Sequence, residues 1–210
     1  MDEKIKIFLI GEPIIDRYIF CKPLNLSSKS PSISSRYLKK EDYTGGSLAI
    51  AKQAAELGCK VNVSFIAGKE KPSKKIFDNL KKEKNIKLDI LFSSKHVTPI
   101  KTRFLEPFAN QRMFEIIDVG HNDNKKEKNI KLIENKKKNI DQSDIIIIAD
   151  YGHGLLNDII IKEINKKRKF TAVNVQSNSE NLGFNLFHKY SKYNYLSIDE
   201  KECRLGMHDR

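Results

Sequence analysis

Short runs of consecutive apolar residues recur along the chain and alternate with stretches of helical periodicity. Ile145 to Ala149 is apolar at every position, which is typical of a strand buried on both faces of a parallel sheet. The predicted strands are Ile5–Ile10, Val61–Ala67, Leu88–Phe92, Ile145–Ala149, Thr171–Val175 and Tyr195–Ile198, and the predicted helices are Ser47–Leu57, Ser73–Lys84, Ile130–Lys138 and Ile159–Lys167. This alternation predicts an α/β fold with a parallel sheet flanked by helices.

Four further extended segments fit no strand–helix–strand unit. They are Arg17–Cys21, Ile33–Lys39, Ile100–Leu105 and Arg112–Ile117. We expect them to form a small separate sheet, a β lid over part of the molecule. Between the last of them and the next predicted helix, Gly120 to Asn129 is polar and is predicted to be a surface loop.

Composition narrows the class of protein. The chain has 210 residues, of which 39% are hydrophobic and 31% charged, which indicates a globular domain. No apolar run is long enough to span a bilayer, and the first residues lack the pattern of a signal peptide, so we predict a cytoplasmic protein. Cys21, Cys59 and Cys203 lie far apart and are interpreted as free thiols in a reducing compartment.

The formal net charge of +12 leaves two interpretations open. A basic surface can bind nucleic acid or another anion. Alternatively, lysine is simply favoured throughout the sequence. The lysines, such as those between Lys125 and Lys138, are scattered and have no aromatic residues between them, which disfavours nucleic-acid binding.

Polar residues and glycines at strand and helix ends are the candidates for ligand binding, because open parallel sheets bind ligands beyond the carboxyl ends of their strands. Asp16 follows the first strand, Gly45 and Gly46 open a helix, and Asp150 follows the strand Ile145–Ala149. The glycines allow a ligand to approach free backbone N–H groups, and a carboxylate can accept hydrogen bonds from two sugar hydroxyls. Singly, each feature is more often a turn or a helix N-cap than a ligand site, but their joint placement favours the ligand site.

Other titratable residues carry less weight. His153, between two glycines, could be a general base or an ordinary loop residue, and we favour the loop residue. Glu115 and Asp118 do not form a carboxylate pair, because their odd spacing on an extended strand puts them on opposite faces.

Six segments, in order along the chain, resemble the ribokinase/PfkB family of carbohydrate kinases, especially its heptose 7-phosphate kinase branch. They are Gly11–Tyr18, the Gly-Gly stretch Thr44–Gly58, the Lys-Thr-Arg strand Pro99–Phe104, the Asp-Tyr-Gly turn Ser143–Gly154, and Asn174–Asn178 together with Phe184–Leu186. The last pair is similar to kinase modules joined to a nucleotidyltransferase. The resemblance implies a ribokinase-like sheet with a β lid.

The resemblance also implies roles for individual residues. Asp16, Gly45, Gly46 and Asp150 would bind the sugar, and Lys101 and Arg103 would lie near it on the lid, where they would suit a phosphate group. Asp199 and Glu202 occupy the positions of the family's Asn-x-x-Glu motif, which helps place Mg²⁺ and the phosphates of ATP. Glu202 is the residue of this pair that would bind the metal. A plain alternative for this acidic pair is the first turn of a helix.

The sequence departs from the family at two places. Ala49 occupies the position of a sugar-binding Asn, and Asp199 replaces the usual Asn of its motif. The family's Gly-Ala-Gly-Asp-like turn, which carries the catalytic base, does not occur in these 210 residues. We therefore expect residues 1–210 to be a truncated kinase domain without its C-terminal ATP-binding part, with the base beyond Arg210 and little or no kinase activity.

Three functions follow as hypotheses. The first is ATP-dependent phosphorylation of a sugar or sugar phosphate, with a heptose phosphate as the specific expectation. The alternative is a non-catalytic sugar-binding or interaction module derived from such a kinase. The third is a basic nucleic-acid binder, which would bind any duplex with a steep salt dependence. The resemblance also implies a homodimer through the lid sheet and a nucleotidyltransferase module, either fused or separate.

Overall fold

The computed structural model describes residues 4–27, 29–109, 111–120, 132 and 137–209. The strands are β1 (Lys6–Gly11), β2 (Pro13–Leu26), β3 (Ile33–Gly46), β4 (Lys60–Ala67), β5 (Ile86–Phe92), β6 (Ile100–Glu106), β7 (Gln111–Asp118), β8 (Ile145–Asp150), β9 (Phe170–Val175) and β10 (Tyr195–Ser197). The helices are α1 (Ser47–Glu56), α2 (Lys71–Leu80), α3 (Lys137–Asp141), α4 (Asp158–Asn165) and α5 (Glu200–Met207), with a short 3₁₀ helix at Phe187–Lys189.

Six strands form the main sheet in the order β10-β9-β8-β1-β4-β5, and every pairing is parallel. The central strand β1 is buried on both faces, and Phe8, Leu9 and Ile10 have no exposed surface. Burying side chains of this size stabilises the fold by about 1.5–3 kcal/mol each. The predicted parallel α/β fold is therefore confirmed.

The helices pack on this sheet through the apolar faces that their periodicity predicts. In α2, Ile76, Phe77 and Leu80 are buried in the main hydrophobic core. The helix begins at Lys71, two residues before the predicted start, because Pro72 fits the first helical turn. Gly58, just after α1, has φ +93°, the left-handed conformation expected of a glycine that ends a helix.

The other four strands form a second, mixed sheet in the order β3-β2-β6-β7. The central pair β2 and β6 is parallel, and both outer pairings are antiparallel. This sheet confirms the predicted second sheet. The strands β2 and β3 are, however, much longer than the predicted segments at residues 17–21 and 33–39, so that Asp16 and Gly45 lie inside paired strands.

Two predictions concern residues outside the described part of the chain. Of the predicted loop Gly120–Asn129, only Gly120 is described, and of the predicted helix Ile130–Lys138, the described residues Leu132, Lys137 and Lys138 are helical. None of the described helices has the length and apolar composition needed to cross a membrane.

Candidate functional site

The candidate site is built around the point where β1 ends and the chain turns into β2. Gly11 lies so close to β8 that an added Cβ atom would stand 2.2 Å from the Ala149 carbonyl oxygen. Only a glycine allows this approach. The next residue, Glu12, separates the two strands and donates its backbone N–H to the same Ala149 oxygen at 3.3 Å.

The side chain of Glu12 is 2% exposed and holds the loop that follows β8. Its Oε2 accepts the N–H of Tyr151 at 2.9 Å, and its Oε1 accepts the N–H of Leu155 at 3.1 Å. The Glu12 backbone oxygen also accepts the N–H of Ser47, the first residue of α1, at 3.0 Å. One residue thus connects the end of β1, the start of α1 and the loop after β8.

Burial makes the Glu12 carboxylate electrostatically unusual. Loss of solvent, and then the charge of nearby Asp150, raise the pKa of Glu12 to about 8, although the two backbone N–H groups and Lys189 act in the opposite direction. Glu12 therefore exchanges its proton near neutral pH, whereas an exposed glutamate would be fully ionised there.

Asp16 lies four residues further, on β2 of the second sheet. Its Oδ1 accepts a hydrogen bond from Nη1 of Arg103 at 2.5 Å. A Cβ atom on Gly45 would stand 2.2 Å from Oδ2 of Asp16, so the missing side chain of Gly45 makes room for this carboxylate. In the structure, the space beside Gly45 is filled by Asp16.

Gly46 has a different steric requirement. Its φ is +57°, and an added Cβ atom would stand 2.5 Å from the backbone oxygen of Glu12. Gly46 is the N-cap residue of α1 and, because it has no side chain, it makes no side-chain hydrogen bond to the helix. The Gly-Gly pair thus allows the tight junction between β3, α1 and the Glu12 turn.

Arg103, on β6, contacts residues of both neighbouring strands, β2 and β7. Besides its bond to Asp16, its Nε lies 2.8 Å from Oε2 of Glu115, an ion pair without hydrogen-bond alignment. Its guanidinium group also lies 5.6 Å from the ring centroid of Tyr18. Burial opposes the charge, but the bond to Asp16 and the charge of Glu115 outweigh it and raise the pKa of Arg103.

Lys101 is a second partly buried cation near Asp16. It pairs with Asp16 in the β2–β6 register, and among the described residues no carboxylate lies within 4.0 Å of its Nζ. Burial lowers the pKa of Lys101, against the attraction of Asp16 and Glu115. A cation that is only loosely paired and partly removed from water favours an anionic ligand.

The loop after β8 brings two further groups to this region. Burial, and then the positive charge of Lys101, lower the pKa of His153 to about 4, with Asp150 opposing them and His96 adding to them. Burial, and then the carboxylates of Glu12 and Asp16, raise the pKa of Tyr151 to about 12. At neutral pH, His153 is therefore neutral and Tyr151 keeps its hydroxyl proton.

Asp150 is enclosed in the structure, although the sequence predicts that it binds a sugar. Its side chain has no exposed surface, and four groups surround it. Oδ1 accepts hydrogen bonds from the Gly152 N–H at 3.0 Å and from the Asn185 amide at 3.1 Å. Oδ2 accepts the Tyr190 hydroxyl at 2.5 Å and pairs with Lys189 at 2.5 Å. Here Asp150 joins the β8 loop to residues 185–190.

Asp199 and Glu202 lie away from this group, at the start of α5, where they form a capping box. Asp199 Oδ1 accepts the Glu202 N–H at 2.7 Å, and Glu202 Oε2 accepts the Asp199 N–H at 2.9 Å. The second oxygen of Glu202 accepts the N–H of Ser177 at 2.8 Å. Both residues line a cleft of about 410 Å³ beside α5.

The structure thus brings together Asp16, Gly45, Gly46, Lys101 and Arg103. Asp150 is near Glu12, whose pKa its charge raises. Sequence reasoning missed Glu12 and Tyr151 and gave His153 no role. Glu12 satisfies the same strand-end rule that selected Asp16, because it comes directly after the Gly11 that ends β1.

The described residues contain no cluster of three metal-ligating side chains. Among residues 4–27, 29–109, 111–120, 132 and 137–209, no three His, Cys, Asp or Glu side chains are positioned to hold a metal ion. Each oxygen of Glu202 accepts one backbone N–H group. The role of Glu202 at Mg²⁺ stays a prediction.

We compared the chain with known proteins by sequence and by structure. No family model matches the chain. The chain is 26% identical over 201 residues to the bifunctional protein HldE of Campylobacter jejuni strain RM1221, covering 96% of this chain and 41% of that protein. It is 23% identical over 156 residues to the D-beta-D-heptose 7-phosphate kinase of Bordetella bronchiseptica, covering 74% and 48%. The chain therefore spans less than half the length of these relatives.

Solved structures agree on the fold. Phosphofructokinase-2 from Escherichia coli, in complex with fructose-6-phosphate, superposes with a TM-score of 0.72 at 15% identity, covering 99% of this chain and 65% of that one. The microbiome-derived acarbose kinase Mak1 superposes with a TM-score of 0.63 at 13% identity, covering 82% and 53%. The structural neighbours show that the chain has the fold of these kinases, and both comparisons agree with the ribokinase/PfkB family of carbohydrate kinases that the sequence motifs resemble.

Proposed function

We propose that this chain is the sugar-binding part of an ATP-dependent carbohydrate kinase and that its substrate is a sugar phosphate of the heptose phosphate class. One observation carries the proposal: Asp16 meets two basic residues of the second sheet, Lys101 and Arg103, beside the glycines that start α1. The Bordetella bronchiseptica relative is a heptose 7-phosphate kinase, which supports this substrate class.

Asp16 suits recognition of sugar hydroxyls. Its side chain keeps 24% of its surface exposed, and a carboxylate makes strong, charge-assisted hydrogen bonds with hydroxyl donors. The bond from Arg103 fixes the position of one carboxylate oxygen before a ligand arrives. Pre-positioning of this kind reduces the entropy that binding must remove.

Lys101, Arg103 and His153 suit the phosphate group. Arg103 is held by Asp16 and Glu115, whereas Lys101 has no close carboxylate among the described residues. The charge of Lys101 contributes to the lowered pKa of His153, which is neutral at pH 7, so a phosphate dianion bound near both residues would favour the protonated form of His153. A neutral sugar would offer these groups no such partner.

The role proposed for the chain is to bind and orient the acceptor sugar. ATP and Mg²⁺ belong to the proposal through the family, in which ATP supplies the transferred phosphoryl group. Glu202, at the family's Asn-x-x-Glu motif, is the residue that would help hold Mg²⁺, which would neutralise charge on the phosphates of ATP. The cleft that Asp199 and Glu202 line is the place where the resemblance puts the nucleotide phosphates.

One observation favours the alternative, a non-catalytic sugar-binding module. Asp150, which the family uses toward the sugar, has both oxygens engaged inside the protein. In addition, Ala49 replaces a sugar-binding Asn. The alternative predicts sugar phosphate binding without any transfer of phosphate from ATP.

Calorimetric titration with heptose 7-phosphate tests the proposal. We expect binding to the wild-type chain and a loss of about tenfold or more in affinity for Asp16→Asn and for Lys101→Gln. Lys22→Gln, an exposed lysine of the same strand as Asp16, is the matched control and should bind as the wild type does. Equal affinities for heptose and heptose 7-phosphate would contradict the phosphate role of Lys101. Absence of any sugar binding would contradict the proposal as a whole.

The second sheet also supports the proposed homodimer. Its outer strands carry large exposed apolar side chains, including Ile33 at 71%, Tyr37 at 62% and Ile116 at 52% exposure. Such patches mark interaction surfaces. Tyr37→Lys should shift the chain towards monomer in sedimentation experiments, whereas a wild-type chain that sediments as a monomer would contradict the dimer. The nucleotidyltransferase module and the cytoplasmic location stay predictions.

A further inference from the structure

A second pocket lies at the opposite end of the main sheet from the cleft at α5. It has a volume of about 380 Å³ and lies where β4 and β5 end, beside α2. Phe77 and Phe92 form its floor, and Lys69, Lys74, Asp78 and Lys81 form its rim. In the sheet order, β5 and β10 are the two edge strands, so this pocket and the α5 cleft lie at opposite edges.

The floor presents an aromatic surface that is partly open. Phe77 is 1% exposed and is fixed by Phe65, whose ring centroid lies 5.3 Å away. Phe92 lies 6.4 Å from Phe77 and is 46% exposed, which is unusual for an aromatic residue at the end of a strand beside a helix. An exposed ring beside a fixed one provides a surface on which a planar ligand can stack.

The rim carries an excess of positive charge. Lys81 pairs with Asp78 at 3.3 Å, which satisfies the single acid of the rim. Neither Lys69 nor Lys74 has a carboxylate within 4.0 Å among the residues that the structure describes. Two lysines without an internal partner, next to an aromatic floor, complement a ligand that is planar at one end and anionic at the other.

We propose that this pocket binds a nucleoside monophosphate, with the base against Phe92 and the phosphate between Lys69 and Lys74. The volume suits a small ligand of this size. The inference does not depend on the proposed sugar site, because none of the pocket residues belongs to the group around Asp16. It assigns the chain a second ligand site, outside both the sugar site and the α5 cleft.

The test is calorimetric titration of the chain with AMP, with adenosine and ribose 5-phosphate as partial ligands. We expect AMP to bind, and each partial ligand to bind about tenfold more weakly because it lacks one of the two contacts. Lys74→Gln and Phe92→Leu should each weaken AMP binding about fivefold. Lys75→Gln, a neighbouring exposed lysine that does not line the pocket, is the matched control and should bind as the wild type does.

Three results would overturn the inference. They are no AMP binding at millimolar concentration, ribose 5-phosphate binding as tightly as AMP, and a loss in Lys75→Gln as large as that in Lys74→Gln. Thermal unfolding of each variant shows whether it is folded. Because Lys74 is exposed, its variant keeps the test decisive even if Phe92→Leu were unstable. Loss of heptose 7-phosphate binding would bear on the sugar site and leave this test unaffected.

Discussion

Replacing Glu12 by glutamine should change how the stability of the protein depends on pH. Glutamine has nearly the shape of a protonated glutamate, with one oxygen and one hydrogen-bearing group. Because burial and Asp150 raise the pKa of Glu12 to about 8, the wild-type side chain is mostly protonated at pH 6.5. Glutamine keeps only one of the two acceptors, and its NH₂ group would face the N–H of Tyr151 or Leu155, so Glu12→Gln should be less stable than the wild type by about 1–3 kcal/mol at that pH.

The sign of the effect follows from proton binding. Between pH 6.5 and 8, Glu12 is ionised in the unfolded chain but keeps its proton in the folded one. The folded state binds more protons, so wild-type stability falls as the pH rises towards 8. At about 1.4 kcal/mol per pH unit, the loss amounts to about 2 kcal/mol, and Glu12→Gln should not show it. His153, with its pKa lowered to about 4, acts with the opposite sign and only below pH 6.5.

Urea denaturation from pH 6.5 to 8.5 measures this difference. The free energy of unfolding of Glu12→Gln should gain about 2 kcal/mol relative to the wild type over this range. Glu56→Gln, at an exposed position of α1, is the control and should follow the wild type. Glu12→Ala, which removes both acceptors and leaves a cavity, should be less stable than the wild type by about 3 kcal/mol at pH 6.5, and this deficit should shrink by about 2 kcal/mol at pH 8.5 because alanine does not titrate either. Parallel pH profiles for Glu12→Gln and the wild type would refute the reasoning.

Three further predictions concern the stability contributed by Arg103, Glu202 and Gly46. Arg103→Met leaves two partly buried carboxylates without their cation and should lower the free energy of unfolding by about 1–3 kcal/mol in urea titrations, with unchanged stability contradicting it. Glu202→Ala removes the capping box and the acceptor for the Ser177 N–H, so thermal unfolding should show a loss of about 1–2 kcal/mol in the free energy of unfolding. The exposed Glu200→Ala is the control and should lose less than about 0.5 kcal/mol. Gly46→Ala, at φ +57°, should cost about 2 kcal/mol or more in the same assay, and a neutral result would contradict the described junction.

Sequence patterns predicted those features that depend on local residues. The uninterrupted apolar run of β8 indicated a strand buried on both faces, and the structure places β8 between β1 and β9. The spacing of Asp199 and Glu202 was equally compatible with a helix start, and the two residues do form a capping box. In each case, the information lies within a few consecutive residues.

Contacts between distant segments could not be predicted in this way. The partners of Glu12 are 139 and 143 residues further along the chain, so only the folded sheet shows that its carboxylate is enclosed. Asp150 is similar, because Lys189 and Tyr190 come from a segment without regular periodicity, about 40 residues later. The strand-end rule correctly indicated where polar residues gather, but it did not distinguish those that are enclosed from those that face a ligand.

The central claim is that Asp16, Gly46, Lys101 and His153 contribute to one sugar phosphate site. The most direct measurement is the change in backbone amide NMR shifts when the isotope-labelled chain is titrated with heptose 7-phosphate. We predict that the amides of these four residues shift together along one binding curve. Shifts confined to other parts of the chain, or separate curves for β2 and the loop after β8, would contradict the claim.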